Sequence, residues 1–142
     1  SRLDTIQAVV ANHLLKKLRK ITNARRKNAA YLDKYLKKIP EIFIHDRSKE
    51  KYEVFHLYSV QVKNRNKLNY FLRENKIDSK MHYPIPMHLQ KPLKKLGYKK
   101  GDFPITEKLS KNTISLPVHE FIKEKDLDFM IKKIKLFYNY SK

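Results

Sequence analysis

Two glycines in 142 residues constrain this chain more than any other feature of it. Glycine supplies positive φ and lets a backbone approach a phosphate closely. Two of them cannot build a dinucleotide-binding loop or a P-loop. If this chain handles a nucleotide or a cofactor phosphate, another segment does the cradling. The cysteine count is 0, which removes disulfides, thiolate metal sites and a cysteine nucleophile, and fits a reducing, cytoplasmic setting. No apolar run reaches membrane-spanning length, and no signal peptide opens the chain. At 41% apolar residues, one small core can be filled.

The formal charge is +19, from 33 basic and 14 acidic residues. Lys and Arg release counterions from phosphates, so nucleic acid is the first partner to consider. The basic residues divide into 26 Lys and 7 Arg, however, and Arg is the better phosphate and base reader. The lysines are spread along the whole chain. Frequent Asn and Ile accompany them, as expected when an AT-rich genome drifts its codons. Compositional drift accounts for most of the charge, and nucleic acid is not the expected partner.

Leu3, Ile6, Val10, Leu14, Leu18, Ile21 and Ala24 recur at steps of three and four, and the stripe resumes at Leu32, Leu36 and Ile39. Pro40 ends it. A straight helix of that extent would be about 55 Å long at 1.5 Å per residue. That predicts a bend near residues 20–23, or a first half that docks outside this chain. His13 falls on this helix and reads as partly buried and hydrogen-bonded. Strands are expected at 42–44, 54–62, 77–82 and 113–116. Helices are expected at 66–76, with Leu68, Phe71 and Leu72 inward, from Phe103 to about Asn112, and over 123–138. The element order predicts an α+β fold, a small mostly antiparallel sheet covered by helices. Residues 1–39 form the connecting helix and 40–142 the domain it enters.

The densest chemistry lies in residues 82–90, His-Tyr-Pro-Ile-Pro-Met-His-Leu-Gln. Pro84 and Pro86 stiffen an irregular loop, which suits holding side chains in place. Metal binding by His82 and His88 is weakly signalled, because no Cys or spaced carboxylate accompanies them. From spacing alone, a proline-rich loop whose rings fill gaps is the simpler reading. No Ser-His-Asp order and no carboxylate pair stands out.

Several blocks resemble one family. Residues 1–8 (Ser-Arg-Leu-Asp-Thr-Ile-Gln-Ala) resemble the N-S-R-L-D-T-I-Q-A segment of the DegT/DnrJ/StrS sugar aminotransferases. Arg65 to Leu68 and Leu72 to Ile77 resemble the family's R-D-x-L…L-x-E-x-G-I helix. Residues 82–90 match H-Y-P-x-P-x-H-x-Q, and 96–104 match L-G-Y-x-x-G-D-F-P, continued by Glu107. Residues 115–119 match S-L-P-M-H with Val118 in place of Met. The blocks occur in order along essentially the whole chain.

The resemblance implies the C-terminal small domain of a pyridoxal-phosphate enzyme of the aspartate-aminotransferase fold. Such enzymes pass an amino group, usually from glutamate, to a keto group of a nucleotide-linked sugar. They act as homodimers with sites between subunits. The N-terminal cofactor domain, with the Schiff-base lysine, is then absent from this chain, which alone would be inactive and would not hold pyridoxal phosphate. No catalytic, cofactor-binding or metal-binding residue is expected here. Arg2, His82, Tyr83 and His88 match substrate-binding positions, the first three reaching a neighbouring subunit's site. The chain departs from the family at Ser79-Lys80-Met81, where Thr-Gly is common, and at Lys76, where Gly is usual. The alternatives are a basic module for nucleic acid or another polyanion, and a non-catalytic regulatory remnant.

Overall fold

The computed structural model describes residues 2–48 and 50–140. Ser1 of the opening motif lies outside the described residues. Among them, the fold is α+β: five α-helices around a three-stranded antiparallel sheet.

The opening helical stretch divides into α1 (Thr5–Leu15) and α2 (Leu18–Leu36). Lys16 and Lys17 keep right-handed helical dihedrals, but the turn tightens, with the Lys17 N–H donating to Leu14 O at 2.9 Å. The break therefore falls earlier than the expected 20–23. Packing explains the position. Thr22, Asn28, Ala29, Leu32 and Leu36 of α2 are buried, whereas α1 buries nothing. The break falls beyond the packed residues of α2, where nothing among the described residues of the domain holds the helix. For the same reason His13, expected to be partly buried, is exposed.

The strands β1 (Ile42–Phe43), β2 (Tyr58–Val62) and β3 (Thr113–Leu116) lie in the order β1-β2-β3. β2 pairs with β3 through Tyr58↔Leu116, Ser59↔Ser115, Val60↔Ile114 and Gln61↔Thr113. Strand alternation separates two faces. Tyr58, Val60, Val62, Ile114 and Leu116 are buried on one, in a single core with Leu32, Leu36, Leu72 and Ile134. Ser59, Gln61, Thr113 and Ser115 make the other, polar face.

Two expected strands are shorter than their sequences suggest. Residues 54–57 are not part of β2. Phe55 has φ 49°, in the left-handed region, which ends extended pairing. The carbonyls of Phe55 and His56 are taken by Arg25 Nη1 at 3.2 and 3.3 Å instead of by a ladder. His56, expected mid-strand, is exposed in that bend. Residues 77–82 form only one bridge, Lys80↔Ser115. In that register the next facing pairs are 78↔117 and 82↔113, but Pro117 has no N–H to donate, and Thr113 gives its N–H to Leu109 O and its carbonyl to Arg65 Nη1 at 3.3 Å, so the pairing does not extend.

The helices α3 (Arg65–Glu74) and α5 (Glu124–Phe137) agree with the periodicity, and α4 (Pro104–Asn112) with a start at Pro104. α5 packs on α2 and α3, while α4 lies on β2. Leu68 and Leu72 of α3 and Leu127, Met130, Ile131 and Ile134 of α5 are buried. The described residues of the charged connector over 46–53 include no core residue, but the connector is pinned to α2. Arg47 pairs with Asp33 at 3.2 Å and Glu53 at 3.1 Å. The buried Tyr58 hydroxyl donates to the same Asp33 at 2.8 Å. Burial and that carboxylate raise the Tyr58 phenol well above its ordinary pKa.

Candidate functional site

Residues 79–90 cross the polar side of the sheet, and each end of the loop is fixed by a different device. At the entry, Lys80 and Ser115 exchange both main-chain bonds, at 3.0 and 2.8 Å. That brings the next ring within reach of β3, where His82 Nδ1 lies 3.1 Å from Ser115 Oγ. Ser115 Oγ in turn lies 2.9 Å from Ser59 Oγ of β2. The His82–Tyr83 peptide is cis. The Tyr83 carbonyl accepts a hydrogen bond from Ser110 Oγ of α4. The backbone is thus clamped between α4 and β3 while the Tyr83 side chain stays 71% exposed. His82 is half-buried, with its ring edge-on to Tyr83 at 5.6 Å. Thr106, Leu109 and Ser110 of α4 complete a shallow cleft beside the two rings.

At the exit, the chain turns through a short 3-10 helix, Met87–Leu89, and His88 is buried. Its Nε2 lies 3.1 Å from Glu107 Oε1, and its ring packs 4.8 Å from Phe103. Glu107 also accepts the Gly101 N–H at 2.6 Å. The Gly101 bond, opposed by desolvation and supported by His88, holds the Glu107 carboxyl below the usual carboxylate range. Both glycines of the chain sit here, Gly97 at φ 78° and Gly101 at φ 102°. They shape the turn that delivers Gly101 N–H and Phe103 to the Glu107–His88 pair. Lys99 N–H to Asp102 Oδ2 at 2.8 Å closes the same turn.

The expected site residues are therefore not brought together as one set. His82 and Tyr83 stand together at the cleft. His88 shares their loop but is turned inward to Glu107. Arg2 is exposed ahead of α1, apart from the loop's hydrogen-bond network. The partners Ser59, Ser110 and Ser115 were not singled out from sequence as site residues. Ser115 and Glu107 do lie in matched blocks, and this is the signal that could have found them. Among the described residues, no group of three or more His, Asp or Glu could hold a metal ion.

The two glycines do not fit a cradle for the phosphate of pyridoxal phosphate. Both glycine N–H groups are already used, Gly97 by Lys94 O at 3.1 Å and Gly101 by Glu107. No glycine-lined cradle is left for a phosphate, and no chemical step is assigned to this segment through that cofactor.

Residues 1–135 match the model of the DegT/DnrJ/EryC1/StrS aminotransferase family. The chain belongs to this family. It is 34% identical to a pleiotropic regulatory protein of Geobacillus stearothermophilus, over 99% of this chain and 38% of that protein. It is also 34% identical to the dTDP-3-amino-3,6-dideoxy-alpha-D-galactopyranose transaminase of Aneurinibacillus thermoaerophilus, over 94% of this chain and 36% of the relative. The fold superposes on DesV of S. venezuelae with a TM-score of 0.92 at 26% identity, covering 96% of this chain and 37% of that one. The chain thus spans little more than a third of the length of the relatives it matches.

Proposed function

We propose that this chain is the C-terminal part of a pyridoxal-phosphate-dependent aminotransferase that moves an amino group from an amino acid such as glutamate to a keto group of a nucleotide-linked sugar. Residues 1–39 form the connecting helical segment and 40–142 the small domain. The cofactor and its Schiff-base lysine belong to an N-terminal domain, and the complete enzyme is a cytoplasmic homodimer. His82 and Tyr83 meet the sugar nucleotide of the neighbouring subunit, and Arg2 reaches toward the same site. His88, buried on Glu107, contributes by holding the loop rather than by touching the ligand. The transaminase named for a dTDP-linked amino sugar supports this substrate class.

The observation that carries the proposal is the loop itself. Its backbone is fixed at both ends, yet Tyr83 remains exposed. A surface tyrosine on a clamped, proline-stiffened backbone is preorganised for a ligand. In the complete enzyme, His82→Ala or Tyr83→Phe should weaken nucleotide-sugar binding by about 1–3 kcal/mol, the cost of losing a buried polar contact. Cofactor affinity, followed by its visible absorbance, should hardly change. Equal loss of both affinities would assign the loop a purely structural role.

A further inference from the structure

The hydroxyls of Ser59 and Ser115 do not follow from the family-level reading, and their geometry bears on His82. We infer that Ser115, backed by Ser59, fixes the His82 ring as the Nε2–H tautomer, so that the outward nitrogen is a hydrogen-bond donor to an oxygen of the ligand. The inference deepens the nucleotide-sugar reading and rests on it only for the identity of that ligand.

Ser115 is 4% exposed. Its Oγ faces Ser59 Oγ at 2.9 Å and His82 Nδ1 at 3.1 Å. Its main-chain N–H and C=O are both committed to Lys80, which fixes the Cβ direction. A serine hydroxyl has one proton to give, so the direction of this chain is restricted. If Ser59 donates to Ser115 and Ser115 donates to Nδ1, every hydroxyl proton has an acceptor within the chain. If instead Nδ1–H donates inward, either Ser115 donates to Ser59 and the Ser59 proton is left over, or Ser59 donates to Ser115 and the Ser115 proton is left over, with no acceptor for it among the described residues. Leaving a partly buried donor unmet is the costlier arrangement. With Nδ1 accepting, the neutral ring must carry its proton on Nε2. That N–H recognises a hydroxyl, carbonyl or phosphate oxygen and does not ligate a cation. Ser115 and Ser59 are positioning residues, acting through His82.

The test needs no substrate. The histidines of this chain are labelled with nitrogen-15 and their ring correlations recorded at a pH where the imidazoles are neutral. His82 is assigned by the signals lost in His82→Gln. The expected pattern is an unprotonated Nδ1, shifted by an accepted hydrogen bond, and a protonated Nε2. A protonated Nδ1 would overturn the inference. In Ser115→Ala the Nδ1 signal should move to the position of a free ring nitrogen, and Ser115→Thr, which restores a hydroxyl, should return it. An unmoved signal in a folded Ser115→Ala protein would equally overturn it. Should Ser115→Ala not fold, Ser59→Ala takes its place. That change removes the donor behind Ser115 and should shift the same signal in the same direction by less, while no shift counts against the inference. Because the readout is the ring itself, its failure is separate from failure of the nucleotide-sugar reading, which His82→Ala tests in the complete enzyme.

Discussion

Lys76 holds a backbone conformation that glycine ordinarily takes. Its φ is 59°, and its N–H donates to Arg73 O while Ile77 N–H donates to Leu72 O, each at 2.9 Å. This pair of bonds is a Schellman motif, and the buried Leu72 and Ile77 supply the apolar contact that accompanies it. By resemblance, Lys replaces a glycine that is usual at this turn. The turn is kept, and the Cβ strain is carried. Lys76→Gly should therefore stabilise the chain by about 0.5–1 kcal/mol, read as a higher urea midpoint, whereas Lys76→Ala should not. Asn139, in an equivalent motif at φ 53°, should gain less, because Asn tolerates the left-handed region. Glu107 gives a second residue-level test. Its folded pKa lies below the unfolded value, chiefly through the Gly101 N–H. The stability it contributes is present above the unfolded pKa and is lost as pH falls through the folded one. Acid titration below about pH 4.3, the ordinary value for Glu, should loosen the loop. Glu107→Gln should remove part of that acid dependence, measured as the slope of stability against pH.

At the scale of elements, legibility followed the source of each element's stability. α3 and α5 could be read from periodicity because their own apolar faces make them, and α4, which buries no residue, from Pro104 at its first turn. The strands could be read only in part. Whether residues 54–57 pair depends on Arg25, about thirty residues away, and whether 77–82 pair depends on Thr113 and Pro117 across the bridge. None of these partners leaves a pattern in the strand itself. α1 shows the same distinction from the other side. Its apolar stripe predicts a helix with something to bury, yet Ile6 is 80% exposed and Val10 53%. Val9 and Leu15 are exposed as well, so the apolar surface is wider than one stripe. An 11-residue helix with no packed face is marginal in water. Its amides should exchange with solvent far faster than those of α2. Val10→Glu with Leu14→Glu should leave the chain's melting almost unchanged, by less than about 0.5 kcal/mol as for exposed sites. The same pair should abolish any self-association seen by sedimentation. A large loss of stability would show that α1 is packed within this domain after all.

On the scale of the whole molecule, the sequence blocks that looked independent turn out to be one assembly. The H-Y-P loop is tied to the S-L-P block through Ser115 and His82, and to the L-G-Y-x-x-G-D-F-P block through Gly101, Glu107 and His88. Spacing could not reveal this, because hydrogen-bond partners 19 and 33 residues apart have no periodic signature. Order and identity of the blocks could, since each supplies one partner. The same bookkeeping of donors leads to the last prediction. Both glycines are spent on the turn that supports Glu107, and their N–H groups are occupied. The other backbone-rich anion cradle this fold could offer would need glycines it does not have. This chain alone should therefore bind pyridoxal phosphate only through scattered surface lysines. Mixed with the cofactor, it should give weak, dispersed visible absorbance that no single Lys substitution removes and that dialysis reverses. A stable band lost on changing one particular lysine would place a cofactor site in this segment.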